Sequence, residues 1–186
     1  MQVLGLDISQ KSTGWAVLSD GLAGLTPSSP TASIQVVDHG YLDFDKNKPL
    51  SQNLFLFHSF VKGIIVSHPP IDVICIEDTF FGKNPKTAKL LDRYGATAIL
   101  AGRMACTSAK MMLLAVASHR AALSDEVKKF LGSKGLKMKG RTVDKDEVYL
   151  YICNKYGLRN VRNDETDAIS VGSYAFLRKE DPSWVI

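Results

Sequence analysis

No run of apolar residues in this 186-residue chain approaches the roughly 20 that a membrane-spanning helix requires. A basic-then-apolar secretory leader is also missing, because Met1 runs straight into a strand-like segment that ends in Asp7. The expected location is therefore the cytoplasm, away from any membrane. Cysteine is scarce: Cys75, Cys106 and Cys153 are odd in number, far apart and without a C-x-x-C pair. That excludes a disulfide framework and a zinc knuckle and leaves three reduced core thiols. The four histidines are equally scattered, and each is expected to be structural or on the surface rather than a metal ligand. No G-x-G-x-x-G follows the first strand, which argues against a dinucleotide-binding fold. There is no internal repeat and no linker, so residues 1–186 are expected to form one domain.

What is present is ordinary in amount and informative in arrangement. Apolar residues make up 45% and charged residues 23% of the chain, as in globular proteins. The net charge of +4 is too small to imply a polyanionic partner. Its distribution says more, since Lys128, Lys129, Lys134, Lys137, Lys139, Arg141 and Lys145 are opposed within their stretch only by Asp144. Such a run is either a solvated loop or a track for phosphates.

Periodicity divides the chain into alternating elements. Gln2–Ile8 and Thr13–Ser19 read as strands joined by a short turn, and Ser33–Leu42 as a third strand after a Gly/Pro/Ser-rich loop. Ser51–His68 has helical spacing and is stopped by Pro69 and Pro70. Ile71–Glu77 is a short buried strand, Lys86–Cys106 a long helix, and Met111–Ala117 a fifth strand. Ser118–Phe130 reads as a helix, Gly132–Arg141 as a basic loop, and Lys145–Lys155 and Glu165–Lys179 as two further helices. The order predicts an α/β fold: a mixed five-stranded sheet, its first three strands antiparallel, with helices on both faces. It is the order of the RNase H-like fold.

Four carboxylates stand out against this frame. Asp7 closes the apolar strand Val3-Leu4-Gly5-Leu6, where a charge is costly unless paired or bound to a metal; an Asx-turn with Ser9 or Ser12 is the alternative. Glu77 ends a strand and shares a face with Val73 and Cys75, while Asp78 points the other way. Asp164 and Asp167 are three apart at a helix start and therefore lie on one face, although Asp164 also suits an N-cap. If the four converge, their repulsion requires cations. Oxygen-only ligands suit Mg²⁺, with Mn²⁺ as a substitute, rather than zinc or copper. Two such ions about 3.5–4 Å apart would activate a water and stabilise the leaving oxygen of an in-line phosphodiester attack.

With these residues in view, the chain resembles the RuvC family of Holliday junction resolvases along nearly its whole length. The resemblance is carried by Gly5-Leu6-Asp7 with Thr13-Gly14-Trp15, by Ile76-Glu77-Asp78-Thr79-Phe80-Phe81-Gly82-Lys83-Asn84 with Ala88-Lys89-Leu90 and Gly95, and by Asp164-x-x-Asp167-Ala168. It implies a structure-selective endodeoxyribonuclease acting on four-way or related branched DNA as a homodimer. It also implies that Asp7, Glu77, Asp164 and Asp167 are catalytic metal ligands and that Lys145 lies near the scissile phosphate. Phe80 would stack on bases at the junction centre. Lys83, with Lys134, Lys137, Lys139 and Arg141, would contact DNA, and Arg120 or Lys128 would be a second basic residue at the site. Ile8-Ser9 replaces the family's Pro-Gly, and the segment from Ala117 to Asp144 is longer and more basic, as would suit a phage or mobile-element version.

Two-fold symmetric cutting would place a partner contact on Lys86–Cys106, with Ala88, Leu91, Ala98, Ala101 and Ala105 as candidates and Gly95 and Gly102 permitting close approach. The rival readings are a related nuclease for flaps or RNA–DNA hybrids, a catalytically silent DNA-binding module, and an actin-like ATPase, for which the chain is short.

Overall fold

The computed structural model of the chain describes residues 1–21, 34–78, 84–137 and 142–177. Strand β1 (Gln2–Ile8) pairs antiparallel with β2 (Ser12–Ser19), and β2 pairs antiparallel with β3 (Gln35–Asp43). Ser9 closes the first turn: its N–H donates to the Ser12 carbonyl at 2.9 Å, and its hydroxyl accepts from the Ser12 N–H at 3.1 Å. Asp7 is therefore not spent on the turn. Strand β4 (Val73–Glu77) lies parallel to β1, and β5 (Lys110–Leu114) parallel to β4, giving the order β3-β2-β1-β4-β5. Parallel neighbours require crossovers. Helix α1 (Leu50–Ser67) precedes β4, and α2 (Pro85–Ala105) joins β4 to β5.

Strand alternation separates two cores. Leu4, Leu6, Val17, Ile74, Ile76 and Met111 face α1 and α2, where Phe57, Val61, Tyr94, Ala98 and Ala101 complete a buried cluster. The other face carries Val3, Ala16, Leu18, Val73, Cys75, Met112 and Leu114. It is covered by α3 (Val116–Ser133), α4 (Lys145–Tyr156) and α5 (Asn163–Leu177). The mixed sheet with helices on both faces agrees with the sequence reading.

Several boundaries differ, each for a local reason. The fifth strand stops at Leu114 rather than Ala117, because its partner β4 ends at Glu77, opposite Leu114. The Ala-rich sequence beyond it then turns helical at Val116. Helix α3 continues to Ser133, so Gly132 is helical rather than part of a loop; buried Leu131 anchors that last turn. Helix α5 begins at Asn163, two residues earlier than the spacing of its apolar residues indicates.

Helix α5 is the axis of the second core and is buried from Glu165 to Ala175. It approaches the sheet closely because glycine lies at the contact. A Cβ on Gly5 would overlap the Ala168 carbonyl oxygen, one on Gly14 the Asp164 carbonyl, and one on Gly172 the Leu18 side chain. Helix α2 requires a correction. Ala98 and Ala101 are buried in the core that α2 shares with the sheet, Gly102 lies against Met111 and Ile74, and Ala88 is buried too, so these four are unavailable to a partner. Leu100 and Met104, one turn apart, are the large apolar residues that this helix exposes instead.

Candidate active site

Asp7 and Glu77 come together through register. Gly5 pairs with Cys75 across the parallel β1–β4 ladder, so two residues further along the same face Asp7 lies beside Glu77. The two carboxyl groups are close enough to act on each other. Asp7 is buried, and that burial, followed by the influence of Glu77 and then the charge of Asp164, pushes its carboxyl well above the usual range.

The second pair arrives on α5. Gly14 sits opposite Asp7 in the β1–β2 ladder, and its bare Cα lets the Asp164 backbone settle directly on it. Asp164 does not cap the helix: its Oδ2 accepts a short hydrogen bond from the Ser12 hydroxyl. Glu165 serves the helix start, its Oε2 accepting from the Arg162 N–H at 2.8 Å. Asp167, one turn on, is buried and ion-paired with Lys145. Burial raises its carboxyl pKa, with the Asp7 charge adding to the shift and the Lys145 bond opposing it.

Lys145 is fixed at the first turn of α4 by a capping box. Glu147 N–H donates to Asp144 Oδ1, and Asp144 N–H to Glu147 Oε2, both at 2.9 Å. Burial acts to lower the ammonium pKa, but the bond to Asp167 and the charges of Asp167 and Asp7 outweigh it and hold Lys145 firmly charged. Its side chain remains 40% exposed, at the mouth of the site. Arg120, on the first turn of α3, lies close enough for its charge to act on Asp167, Lys145 and His119. Its Nε is buried without a hydrogen-bond partner. Lys128 lies eight residues further along the same helix, about 12 Å along its axis, and is exposed.

Lys134 caps the C-terminus of α3, and Lys137 is exposed beyond it. Phe80, Lys83, Lys139 and Arg141 lie outside the described residues. The fold brings here three residues that the sequence reading does not assign to the site. Ser12 holds Asp164, and buried His119 bridges Glu77 and Ser170. Ser170 could have been noticed as the polar member of Ala168-Ile169-Ser170-Val171, on the same helical face as Asp164 and Asp167. His119 belongs to no motif, and nothing in its neighbours marks it.

Among the described residues, no three His, Cys, Asp or Glu side chains stand as a ready group around one ion. The carboxylates are engaged separately, Asp7 with Glu77, Asp164 with Ser12 and Asp167 with Lys145. Their chemistry nevertheless fits a hard divalent cation. Two are desolvated, all supply oxygen, and the Asp7 and Asp167 carboxyls are displaced upward by burial first and by their neighbouring carboxylates after it.

Comparison with known proteins identifies the family. The chain is 26% identical over 165 residues to a crossover junction endodeoxyribonuclease RuvC from Ehrlichia ruminantium, covering 86% of this chain and 99% of that protein. It is 32% identical over 122 residues to the RuvC of Erythrobacter litoralis, covering 65% of this chain and 64% of the relative. The fold matches Thermus thermophilus RuvC solved in complex with a Holliday junction substrate, with a TM-score of 0.74, 13% identity and coverage of 100% and 99%. The yeast mitochondrial Holliday junction resolvase Ydc2 is a more distant likeness, at a TM-score of 0.55, 12% identity and coverage of 96% and 80%. The family model for crossover junction endodeoxyribonuclease RuvC matches residues 3–129, a span that includes Asp7, Glu77, His119 and Arg120 and stops short of α4 and α5. With that match extending over more than half of the sequence, the chain belongs to the RuvC family of metal-dependent crossover junction endodeoxyribonucleases.

Proposed function

We propose that this chain is a single nuclease domain that resolves four-way DNA junctions, with Asp7, Glu77, Asp164 and Asp167 holding two Mg²⁺ ions for which Mn²⁺ substitutes. The observation that carries the assignment is the environment of Asp7. It is buried, beside Glu77 and within the electrostatic reach of both Asp164 and Lys145, which makes it the hub of the cluster. When bound, the ions would activate a water and stabilise the leaving oxygen of the cleaved phosphodiester.

The remaining residues have separable tasks. Lys145, anchored by its capping box and 40% exposed, is placed to exchange Asp167 for a phosphate oxygen. Arg120, whose charge acts on Asp167 and Lys145, is a second cation beside the carboxylates. Of the two candidates for a second basic residue at the site, Arg120 is thus the better placed. Phe80 keeps the role of base-stacking residue, and Lys83 and Arg141 that of DNA contacts. The deciding experiment presents the purified protein and Mg²⁺ with a four-way junction, a flap, a linear duplex and an RNA–DNA hybrid. Preferential cutting of the junction is expected, and preference for the flap or the hybrid would redirect the reading.

The basic stretch from Lys128 onward is proposed to follow the DNA backbone. Changing Lys134, Lys137 and Lys139 together to alanine should reduce the slope of log affinity against log salt by about 2–3, close to one for each phosphate that is no longer neutralised. A gel-shift series across salt concentrations measures it. An unchanged slope would return the stretch to a solvated role.

A homodimer is proposed because paired cuts in a two-fold symmetric junction require two sites related by the same axis. Leu100 and Met104, 56% and 60% exposed, are the apolar surface that α2 offers a second copy. Sedimentation of a Leu100→Glu/Met104→Glu variant should show a monomer that nicks junctions without resolving them. A dimer indistinguishable from the parent would move the contact elsewhere.

A further inference from the structure

His119 is fully buried, yet both of its ring nitrogens are engaged. Nε2 lies 3.2 Å from Glu77 Oε1, and Nδ1 lies 2.8 Å from the Ser170 hydroxyl. A carboxylate can only accept, whereas a hydroxyl can donate or accept. One tautomer therefore satisfies every atom: Nε2–H donates to Glu77, and the Ser170 hydroxyl donates to Nδ1. The opposite tautomer would set a ring lone pair against the carboxylate.

The connection joins three elements. Glu77 is the last residue of β4, His119 lies in the first turn of α3, and Ser170 is on α5 one turn after Asp167. Glu77 has a flexible side chain at a strand end and is only partly covered, at 13% exposure. Left to itself it would sample several rotamers, and ordering it on loading would carry an entropic cost. Metal-ligating groups are commonly held in orientation by a hydrogen bond from behind.

We propose that His119 is a positioning residue for Glu77. Its Nε2–H holds Oε1 and so fixes how the carboxylate is presented beside Asp7, while Ser170 fixes the ring and ties its orientation to the helix that carries Asp164 and Asp167. This rests on the reading of Glu77 as a metal ligand.

The test is calorimetric titration of the DNA-free chain with Mn²⁺, accompanied by thermal melting of the metal-free proteins. His119→Leu removes the donor at similar volume, and His119→Gln returns an N–H near the position of Nε2. Affinity should fall about 10–100-fold in His119→Leu, the usual cost of losing such support. His119→Gln should recover most of it, and Ser170→Ala should show a smaller loss while melting like the parent. Parental affinity in His119→Leu overturns the proposal, as does equal weakness in the Leu and Gln variants, which would mark a packing role. Should His119→Leu fail to fold, Ser170→Ala decides, and parental affinity there overturns it. A parent protein that binds no Mn²⁺ would instead defeat the carboxylate reading itself, and this proposal with it.

Discussion

Replacing Asp7 with asparagine is expected to abolish junction cutting while leaving the fold and junction binding intact. The asparagine keeps the shape of the side chain and one oxygen, but it removes the charge at the hub of the cluster. Loss of several kcal/mol of transition-state stabilisation corresponds to a rate decrease on the order of 10³-fold or more. The expected stability change has the opposite sign to that of an ordinary Asp→Asn change. The Asp7 carboxyl is pushed upward in the folded protein by burial and by Glu77, so its ionised form favours the unfolded chain. A neutral side chain removes that penalty, and metal-free Asp7→Asn should melt no lower than the parent near neutral pH. Junction affinity in EDTA should be equal or better, because one charge that repels the phosphates is gone. The stabilisation that Mg²⁺ confers on the parent should disappear. Cleavage assays, gel shifts and melting with and without Mg²⁺ read all three effects, and a fully active Asp7→Asn enzyme would sink the assignment.

The largest effect of a small structural change is expected at Gly14. A methyl group added there would meet the carbonyl of Asp164 and the nitrogen of Glu165, which are backbone atoms and cannot turn aside as a side chain would. Gly14→Ala should cost about 3 kcal/mol, at the upper end of overpacking penalties. For a chain of this length that lowers the melting temperature by roughly 6–12 °C. Activity should fall further than the folded fraction explains, since the displaced segment carries Asp164 and lies next to Asp7. Gly63→Ala is the control. It lies on the exposed side of α1 with nothing near the added carbon, and should gain about 0.5–1 kcal/mol in helix stability without loss of cutting. Equal behaviour of the two variants in melting and cleavage would remove Gly14 from the docking of α5.

Those two positions show what could and could not be read from the chain. Strand alternation placed Glu77 on the face of Val73 and Cys75, and helical spacing placed Asp167 beside Asp164, because each relation is set by local geometry. The order of strands and helices gave the mixed sheet for the same reason. The end of β5 was not legible, because it is decided by where the neighbouring strand stops. Nor could the surface of α2 be divided, since Ala98, Ala101 and exposed Leu100 are alike in sequence until a sheet takes one side.

The sequence by itself determined the elements, the four acidic positions and the motifs that connect the chain to RuvC. Tertiary structure alone decided which carboxylates meet and what holds them. Parallel pairing of β1 with β4, 70 residues away in register, sets Asp7 beside Glu77. The glycine contacts of α5 bring in Asp164 and Asp167, and His119 enters from a helix that no motif marks. Contacts between distant segments depend on how whole layers pack, and that information is spread over every residue of the two cores rather than written at the positions that touch.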